Sequence, residues 1–315
     1  MTGTIQTVTL HSEQHFGKKL PPKAFGELLR VIPEAIRFSI RMAFESRSQA
    51  KGKRPKWLNA ASDIRFLDHS GDDETVLHFA VPELGDAAEV LYRQKEFWNT
   101  KPEPTDTGFD LFADVINDVA IGNADSDRFD RPLLHQIERF KNGLNGTFHR
   151  VDFTGNRVSM SKPAVINADI VDAAARLSHN TPEPQQTRVF GTLDMIRSST
   201  NAFAIKLKNG EEVRGVLTEG KVFHLTELLE KDVLILGKAV YRPSGKLLRI
   251  DADEVLLAGD QDRFFEAVPK PKQSRFDLKE VVRDQQYMKG VAAIFGKWPG
   301  DESDEEIEAA LKEID

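Results

Sequence analysis

Apolar residues in the first half of the chain recur mainly at helical spacing. Residues 108–120, 132–142 and 168–177 each carry an apolar stripe with the period of an α-helix. A fourth helix can begin at Pro33, because proline is tolerated in a first helical turn. Its predicted buried face consists of Ile32, Ala35, Ile36, Ser39, Ile40, Ala43 and Phe44. The pattern predicts a mixed α and β unit in which helix dominates.

β-favouring runs predict strands in both halves of the chain. In the first half, residues 63–68 and 75–81 flank a polar turn at Gly71, which predicts a hairpin. The second half contains five runs rich in Val, Ile, Leu and Phe: residues 188–195, 202–208, 212–217, 232–241 and 246–257. Tight turns are expected at Gly210 and Gly245, since glycine readily adopts a positive φ.

A short helical pattern at residues 223–230 separates the third and fourth of these strands, giving the order β-β-β-α-β-β. This order resembles the oligonucleotide/oligosaccharide-binding (OB) fold, a small Greek-key barrel. The residues that carry the resemblance are Val189, Gly191 and Leu193 in the first strand and Leu236 and Gly237 in the fourth. Because the resemblance is topological, other small barrels remain possible from the sequence. Phe190, Phe203 and Phe223 are interpreted mainly as barrel core.

Proline-rich polar stretches at residues 181–187, 268–275 and 297–300 predict breaks between segments. The predicted fold class is α+β. We expect four segments: a mixed α+β N-terminal domain at 1–180, a five-stranded OB-like β-barrel at 187–260, a basic linker and helix at 261–296, and an acidic amphipathic tail at 297–315.

The negative net charge of the chain comes from its acidic C-terminal tail. The chain has a net charge of -7, and its last fifteen residues hold eight carboxylates against one lysine, Lys312. Ser303 and Glu306 match a capping box. An apolar stripe follows at helical spacing: Ile307, Ala310, Leu311 and Ile314. A helix with one apolar face and an anionic back is suited to docking onto an apolar, basic surface.

The composition and motifs exclude several kinds of chemistry. There are no cysteines, which excludes disulfides and thiolate nucleophiles and fits a reducing compartment. No long apolar run or signal-like start occurs, so we expect a cytoplasmic protein with no membrane insertion. Only His11 and His15 among eight histidines have ligand-like spacing, and they lack a third ligand. No phosphate loop or catalytic motif is present, so we expect a binding protein without cofactor or metal.

A basic segment near residue 50 is the candidate nucleic-acid contact. Seven cations lie between Arg37 and Lys56 against one acid, Glu45, and Trp57 follows directly. Cations beside an aromatic ring can hold phosphate and stack a base. The same segment can equally serve solubility or receive the chain's own acidic residues. The predicted nucleic-acid-binding residues are Arg37, Arg41, Lys51, Lys53, Arg54, Lys56, Trp57, and an exposed pair formed by Tyr241 and Arg242.

Four aspartates at a spacing of four residues form a second charged feature: Asp106, Asp110, Asp114 and Asp118. Like charges at this spacing cost a helix about 0.2–0.5 kcal/mol per pair, so something should neutralise them. They indicate either a face for a metal or cationic partner, or a solvated face relieved by nearby arginines. Residues 123–127 match a calcium loop only in part, because Arg128 replaces its glycine. Asp130 is predicted to cap a helix.

Residues 296–314 resemble the tail of bacterial antitoxin-like proteins, some of which are partners of PIN-type ribonucleases, and the rest of the chain resembles uncharacterised bacterial proteins. The resemblance implies a partner-binding set made of Trp298, Glu305, Ile307, Glu308, Leu311 and Ile314. The leading hypothesis is therefore a non-enzymatic, antitoxin-like regulator that docks a protein partner, such as a basic nuclease-type toxin. The alternative is a single-stranded nucleic-acid-binding protein whose acidic tail is an autoinhibitor.

Overall fold

The computed structural model describes residues 3–16, 19–93, 101–157, 163–218 and 222–272. The chain divides into two units, Met1–Lys272 and Gln273–Asp315. The second unit, which contains the predicted acidic helix, lies outside the described residues. The same holds for the predicted partner-binding residues Trp298, Glu305, Ile307, Glu308, Leu311 and Ile314.

The first unit combines helices with two sheets, so the predicted α+β class with a small barrel is confirmed. Its helices are α1 (Pro22–Glu45), α2 (Lys56–Ala61), α3 (Leu84–Ala87), α4 (Glu89–Tyr92), α5 (Gly108–Ala120), α6 (Arg131–Glu138) and α7 (Ala168–Asn180). α5 has the predicted bounds. No helix in the described part of the chain is both long and apolar enough to cross a bilayer.

The predicted start of the first helix at Pro33 is wrong. α1 begins at Pro22, which occupies the first turn, and Pro33 lies inside the helix. Proline at that position lacks the N–H that would bond to the Leu29 carbonyl, yet the helix continues because its apolar face is buried on both sides of Pro33. Val31 and Ile36, for example, are fully buried.

Five strands form an antiparallel sheet in the order β2-β3-β1-β4-β5. They are β1 (Thr4–His11), β2 (Arg65–Ser70), β3 (Thr75–Val81), β4 (Arg150–Phe153) and β5 (Ala164–Asn167). The predicted β2–β3 hairpin is confirmed, whereas β1, β4 and β5 were not predicted. Inward residues such as Val8 and Phe79 join α1 and α5 in one core, in which the Phe112 and Phe153 rings meet edge to face at 5.2 Å.

The five strands predicted in the second half form a closed barrel in the order β10-β8-β7-β6-β9. They are β6 (Gln185–Arg197), β7 (Ala202–Lys206), β8 (Glu212–Leu217), β9 (Asp232–Tyr241) and β10 (Leu247–Leu257). β8 and β10 pair in parallel, and every other pair in the barrel is antiparallel. A 3₁₀ helix, Val222–Leu228, stands where the short helical pattern was found.

The barrel interior is filled by apolar side chains, including Phe203, which is fully buried. A Cβ atom on Gly215 would come within 2.2 Å of the Phe203 ring, so only glycine fits opposite that ring. The barrel-core role predicted for Phe203 is thus confirmed, whereas Phe190 is buried but is not part of the barrel core. Two residues on the outside of the barrel, Val240 and Leu248, belong to the core formed by the first sheet and its helices.

Candidate nucleic-acid interface

The basic surface is the name used here for Arg37, Lys51, Lys53, Arg54 and Lys56. The four residues after Arg37 are exposed, and none of them forms an ion pair with another described residue. α1 ends at Glu45, the φ of 55° at Ser46 turns the chain out of the helix, and the loop then runs to α2. The loop and the first residue of α2, Lys56, therefore present four cations to solvent, with no carboxylate partner in the part of the chain that the structure describes.

Arg37 connects this loop to the face of α1. Its guanidinium carbon lies 5.4 Å from the centroid of the Phe38 ring, and its Nη2 lies 3.7 Å from Oε1 of Glu34. Partial burial lowers the pKa of Arg37, and the neighbouring charges of Arg54 and Arg41 lower it further. Glu34 is the opposing carboxylate among these groups. Arg37 and Arg54 thus affect each other electrostatically, and two neighbouring guanidinium groups favour binding of an anion.

Arg41 and Trp57 belong to the interior and not to this surface. Arg41 Nε lies 2.8 Å from Oε2 of Glu45, which also accepts a bond from Arg47 Nε at 3.0 Å. All three residues are buried, so their charges are used within the fold. The Trp57 ring is also buried and packs edge to face on Phe44 at 5.5 Å. Arg41 and Trp57, which the sequence predicts as nucleic-acid contacts, are therefore buried within the fold and not presented on the basic surface.

The start of the basic loop is fixed to the barrel. Arg47 Nη1 donates to the carbonyl of Leu217 in β8 at 3.5 Å, and Arg249 Nη1 of β10 donates to the carbonyl of Ser46 at 2.9 Å. Ser48 bonds through its backbone N–H to the Asp130 carboxylate at 3.0 Å. These contacts fix the start of the loop, residues 46–48, beside β8, β10 and α6.

Burial lowers the pKa of Arg249, but the charges of Asp130 and Asp251 outweigh this effect, so the pKa is raised overall. Arg249 thus remains a cation inside the junction between the barrel and the helices. Asp130 bonds to the backbone N–H of Leu133 at 3.3 Å, so its predicted capping role is confirmed. The same carboxylate serves α6, the basic loop and the barrel.

Tyr241 and Arg242 do not form the predicted exposed pair. Tyr241 is only 2% exposed, and burial raises the pKa of its hydroxyl. Arg242 is half-buried in the turn between β9 and β10. That turn contacts the loop after α5, where Ser244 N–H donates to the Ala124 carbonyl at 3.1 Å. Within the described ranges no hydrogen bond or ion pair joins Tyr241 or Arg242 to the basic surface.

Three of the four aspartates near α5, Asp106, Asp114 and Asp118, are paired with arginines, as one of the two interpretations predicts. Arg157 bonds to Asp106 with Nη2 and to Asp114 with Nη1, each at 2.6 Å, and these bonds raise its pKa. Asp110 completes a capping box with Thr107 at the start of α5. The expected solvated face is wrong, because Asp106 and Asp110 are buried.

The remaining member of the series, Asp118, is also buried and accepts bonds from Ser126 at 2.6 Å and Arg128 at 3.0 Å. Among the described residues no group of three or more His, Asp or Glu side chains is arranged to hold a metal ion. The aspartate series therefore serves to attach two loops to α5.

Sequence reasoning missed a polar cluster on the outer face of the first sheet. His11 lies between two carboxylates, with Nδ1 2.8 Å from Glu74 and Nε2 3.1 Å from Asp152. Asp152 is also paired with Arg150 at 2.6 Å. The alternation of Thr7, Val8, Thr9 and Leu10 is the signal that could have placed His11 on the outer face of a strand. The cluster links β1 and β4 to the β2–β3 turn.

The structure thus brings five predicted nucleic-acid contacts together, namely the residues of the basic surface, and separates four others from them. Exposed cations that have no carboxylate partner among the described residues attract a polyanion, since the phosphate backbone dominates the affinity of nucleic-acid binding. Sequence reasoning did not find the groove beside Phe38, which is lined by residues of α1 and α6. Comparison with protein families, curated proteins and solved structures found no match for this chain.

Proposed function

We propose that the protein binds single-stranded nucleic acid through the basic surface and the adjoining side of the barrel. One observation carries the proposal: four exposed cations, in the loop and at the first residue of α2, have no ion pair among the described residues, and the loop is attached at its base to β8 and β10 through Arg47 and Arg249. The strand would follow the loop from Lys51 to Lys56, with phosphates held by the side-chain cations.

The form of the barrel supports a single strand as the ligand. Its strand pairing, including the parallel contact between β8 and β10, is consistent with an OB-like fold. Small barrels of this kind bind unpaired oligonucleotides in positively charged grooves, with site sizes of about 4–16 nucleotides. The net charge of the chain is -7, so a nucleic acid is repelled by much of the molecule and directed to its basic surface.

The proposal is tested by fluorescence anisotropy with a labelled single-stranded oligonucleotide over a range of salt concentrations. The test variant is K51Q/K53Q/R54Q/K56Q, which removes four exposed cations from the loop. The matched control is K23Q/K141Q/K231Q/K238Q, which removes four exposed cations that have no ion pair within the described residues. Both variants have the same net charge.

The loop variant should bind more weakly and with a shallower dependence on salt. Each phosphate contact contributes about 0.7 to the slope of log K against log salt for single strands, so four lost contacts lower the slope by up to about 2.8. The control variant should keep most of the wild-type slope. Equal losses in the two variants, or no binding by the wild-type protein at low salt, would overturn the proposal.

Docking of a protein partner through residues 297–315 is a second proposed function, of the antitoxin-like kind. It is supported by the eight carboxylates and the apolar stripe of that segment. Full-length protein and a form lacking residues 297–315 would each be used to capture partners from the native host. A protein captured only by the full-length form, and lost in I307A/L311A/I314A, supports docking, whereas identical partners for both forms contradict it.

A further inference from the structure

The segment that follows β10 crosses the outside of the barrel and is called the strap here; it comprises residues 258–272. At its start, the Ala258 N–H donates to the carbonyl of Asp232 in β9 at 3.0 Å. At its end, the Lys272 N–H donates to Oε1 of Gln185 in β6 at 3.0 Å, and the Lys272 carbonyl accepts from Nε2 of the same glutamine at 3.4 Å. Both ends of the strap are therefore fixed to the barrel.

The middle of the strap is also attached to the barrel. A 3₁₀ helix, Asp260–Phe265, packs on β6, where the guanidinium carbon of Arg188 lies 5.6 Å from the centroid of the Phe265 ring. Glu266 follows directly and accepts from the backbone N–H of Lys208 at 2.7 Å, and its carboxylate also lies 3.1 Å from Nζ of that lysine. The strap is thus held along its length and not only at its ends.

This held segment presents one aromatic ring to solvent. Phe264 is 89% exposed, more than any other large apolar side chain among the described residues. Its ring meets the ring of Phe265 edge to face at 5.8 Å. An unpaired base stacks on an aromatic side chain only where the face of the ring is open. The ring of Phe264 meets that requirement, whereas the ring of Trp57 is buried.

Cations near this ring are available to phosphates. The carboxylates of Asp262 and Glu266 are used within the fold, since Asp262 accepts from the Gly259 N–H at 2.7 Å and Glu266 is paired with Lys208. Charge complementarity therefore favours an anionic ligand, and an open ring beside guanidinium groups favours one that carries bases. Four exposed cations of β6 and the strap form no ion pair with another described residue: Arg188, Arg263, Lys270 and Lys272.

The strap lies within reach of a strand that is bound at the basic surface. β10 connects the two places, because Arg249 bonds to the Ser46 carbonyl at the base of the basic loop and Leu257 leads into the strap. Arg249 and Leu257 are eight positions apart in β10, which is about 26 Å at about 3.3 Å per residue. At about 3.4 Å per nucleotide of a stacked strand, about eight nucleotides cover that distance. Site sizes of about 4–16 nucleotides per OB fold thus include lengths that reach the strap and lengths that do not.

We propose that a base of the bound single strand stacks on Phe264, with neighbouring phosphates at Arg188 and Arg263. The inference rests on the proposed function and deepens it, because it extends the binding path from the basic surface along β10 to the strap. A strand shorter than about eight nucleotides contacts the basic surface alone, and a longer strand contacts both places.

The experiment measures fluorescence anisotropy with three labelled ligands: a five-nucleotide oligothymidylate, a twenty-nucleotide oligothymidylate, and a twenty-nucleotide chain that is abasic at every other position and at both ends of the path except the label. The test variant is Phe264→Ala. Ile121→Ala is the matched control, since Ile121 is another strongly exposed apolar side chain, at 78%, and lies at the end of α5. Phe264→Leu keeps an apolar side chain but removes the ring. Thermal unfolding of each variant checks that the fold is intact.

Phe264→Ala should weaken binding of the twenty-nucleotide oligothymidylate by about tenfold, the effect expected of one stacked base. Its affinity for the five-nucleotide ligand and the salt dependence of binding should stay as in wild type, and the loss on the abasic chain should be smaller. Phe264→Leu should lose as much as Phe264→Ala, because a leucine offers no ring on which a base can stack. Ile121→Ala should behave as wild type.

A Phe264→Ala protein that binds the twenty-nucleotide ligand as wild type does would overturn the stacking contact and leave the proposed function standing. Wild-type affinity of Phe264→Leu would do the same, since the contact would then be apolar and not stacked. An equal loss on the five-nucleotide ligand would contradict the path along β10. If wild-type protein binds none of the three ligands at low salt, both this inference and the proposed function are overturned.

Discussion

Arg249 of the barrel and Asp130 at the start of α6 form a buried ion pair, with Nη1 3.3 Å from Oδ2. Their side chains are 6% and 1% exposed. Asp130 also accepts bonds from Ser48 and Leu133, so one carboxylate satisfies donors from three parts of the fold. A charge removed from water at this depth is tolerated only when its partners are all in place.

Replacement of Asp130 by asparagine should destabilise the whole first unit. Breaking a buried pair by removal of one partner costs about 3–5 kcal/mol, because Arg249 would keep its charge with Asp251 as its remaining counter-ion. Urea unfolding followed by circular dichroism measures the loss. Asp125→Asn, which removes an exposed partner of Lys246, serves as control and should leave the unfolding midpoint nearly unchanged. If the Asp130→Asn protein had the same urea unfolding midpoint as the Asp125→Asn control, this account of the junction would be contradicted.

Arg157→Gln should also destabilise the protein, by up to about 3 kcal/mol, because it leaves Asp106 and Asp114 next to each other without a cation. The double variant Asp106→Asn with Arg157→Gln should recover part of the loss. Arg128→Gln removes a more exposed arginine from Asp118 and should cost less. Thermal unfolding of the four proteins provides the comparison. No recovery in the double variant would mean that the aspartate repulsion is not the cause.

Tyr92, which is half-buried, and Tyr241, which is buried, should make stability fall at alkaline pH. Burial raises the pKa of both Tyr92 and Tyr241 above that of a free phenol, so their contribution is fully present below the unfolded pKa of about 10. It is lost as the pH rises from that value through the folded pKa, because the unfolded chain releases its protons first. Urea midpoints from pH 9 to 11 should decline more steeply for wild type than for Tyr92→Phe with Tyr241→Phe. Parallel curves would contradict the prediction.

Removal of residues 301–315 should tighten binding of a single strand if the acidic tail competes for the basic surface. The deleted segment holds eight carboxylates and one lysine, so the remaining chain has no net charge. The gain should be largest at low salt, since screening weakens the competition. A tail in which the eight acids become amides should behave like the deletion, and I307A/L311A/I314A should not. Unchanged affinity after the deletion would exclude autoinhibition.

The barrel could be predicted from sequence because each strand carries its own signal. Val213 and Gly215 in β8, for instance, lie within a short β-favouring run that begins directly after the hairpin turn at Gly210. β1 was missed because Thr7 and Thr9 face outward and make the segment look like a polar terminus. The start of α1 was missed because Pro33 was interpreted as a first-turn residue, a position that Pro22 occupies.

The candidate site was harder to predict, since burial at the junction depends on contacts between distant parts of the chain. Tyr241 and Arg41 carry no local signal that separates an exposed side chain from a buried one. Arg41 is buried because Glu45 and Arg47 pair around it at the edge of the barrel. The exposed cations of the loop were found because Lys51 and Lys53 lie in a segment without apolar residues, which has little to bury.

Val240 and Leu248 belong to the strands of the barrel, but they are buried in the core of the other sheet. A fragment that ended near residue 184 would lose these two side chains from its core. An isolated barrel would expose them to water as a hydrophobic patch that favours aggregation. The linker between the two sheets is therefore not a boundary between two domains that could be expressed separately. Both halves should melt together, in one cooperative transition.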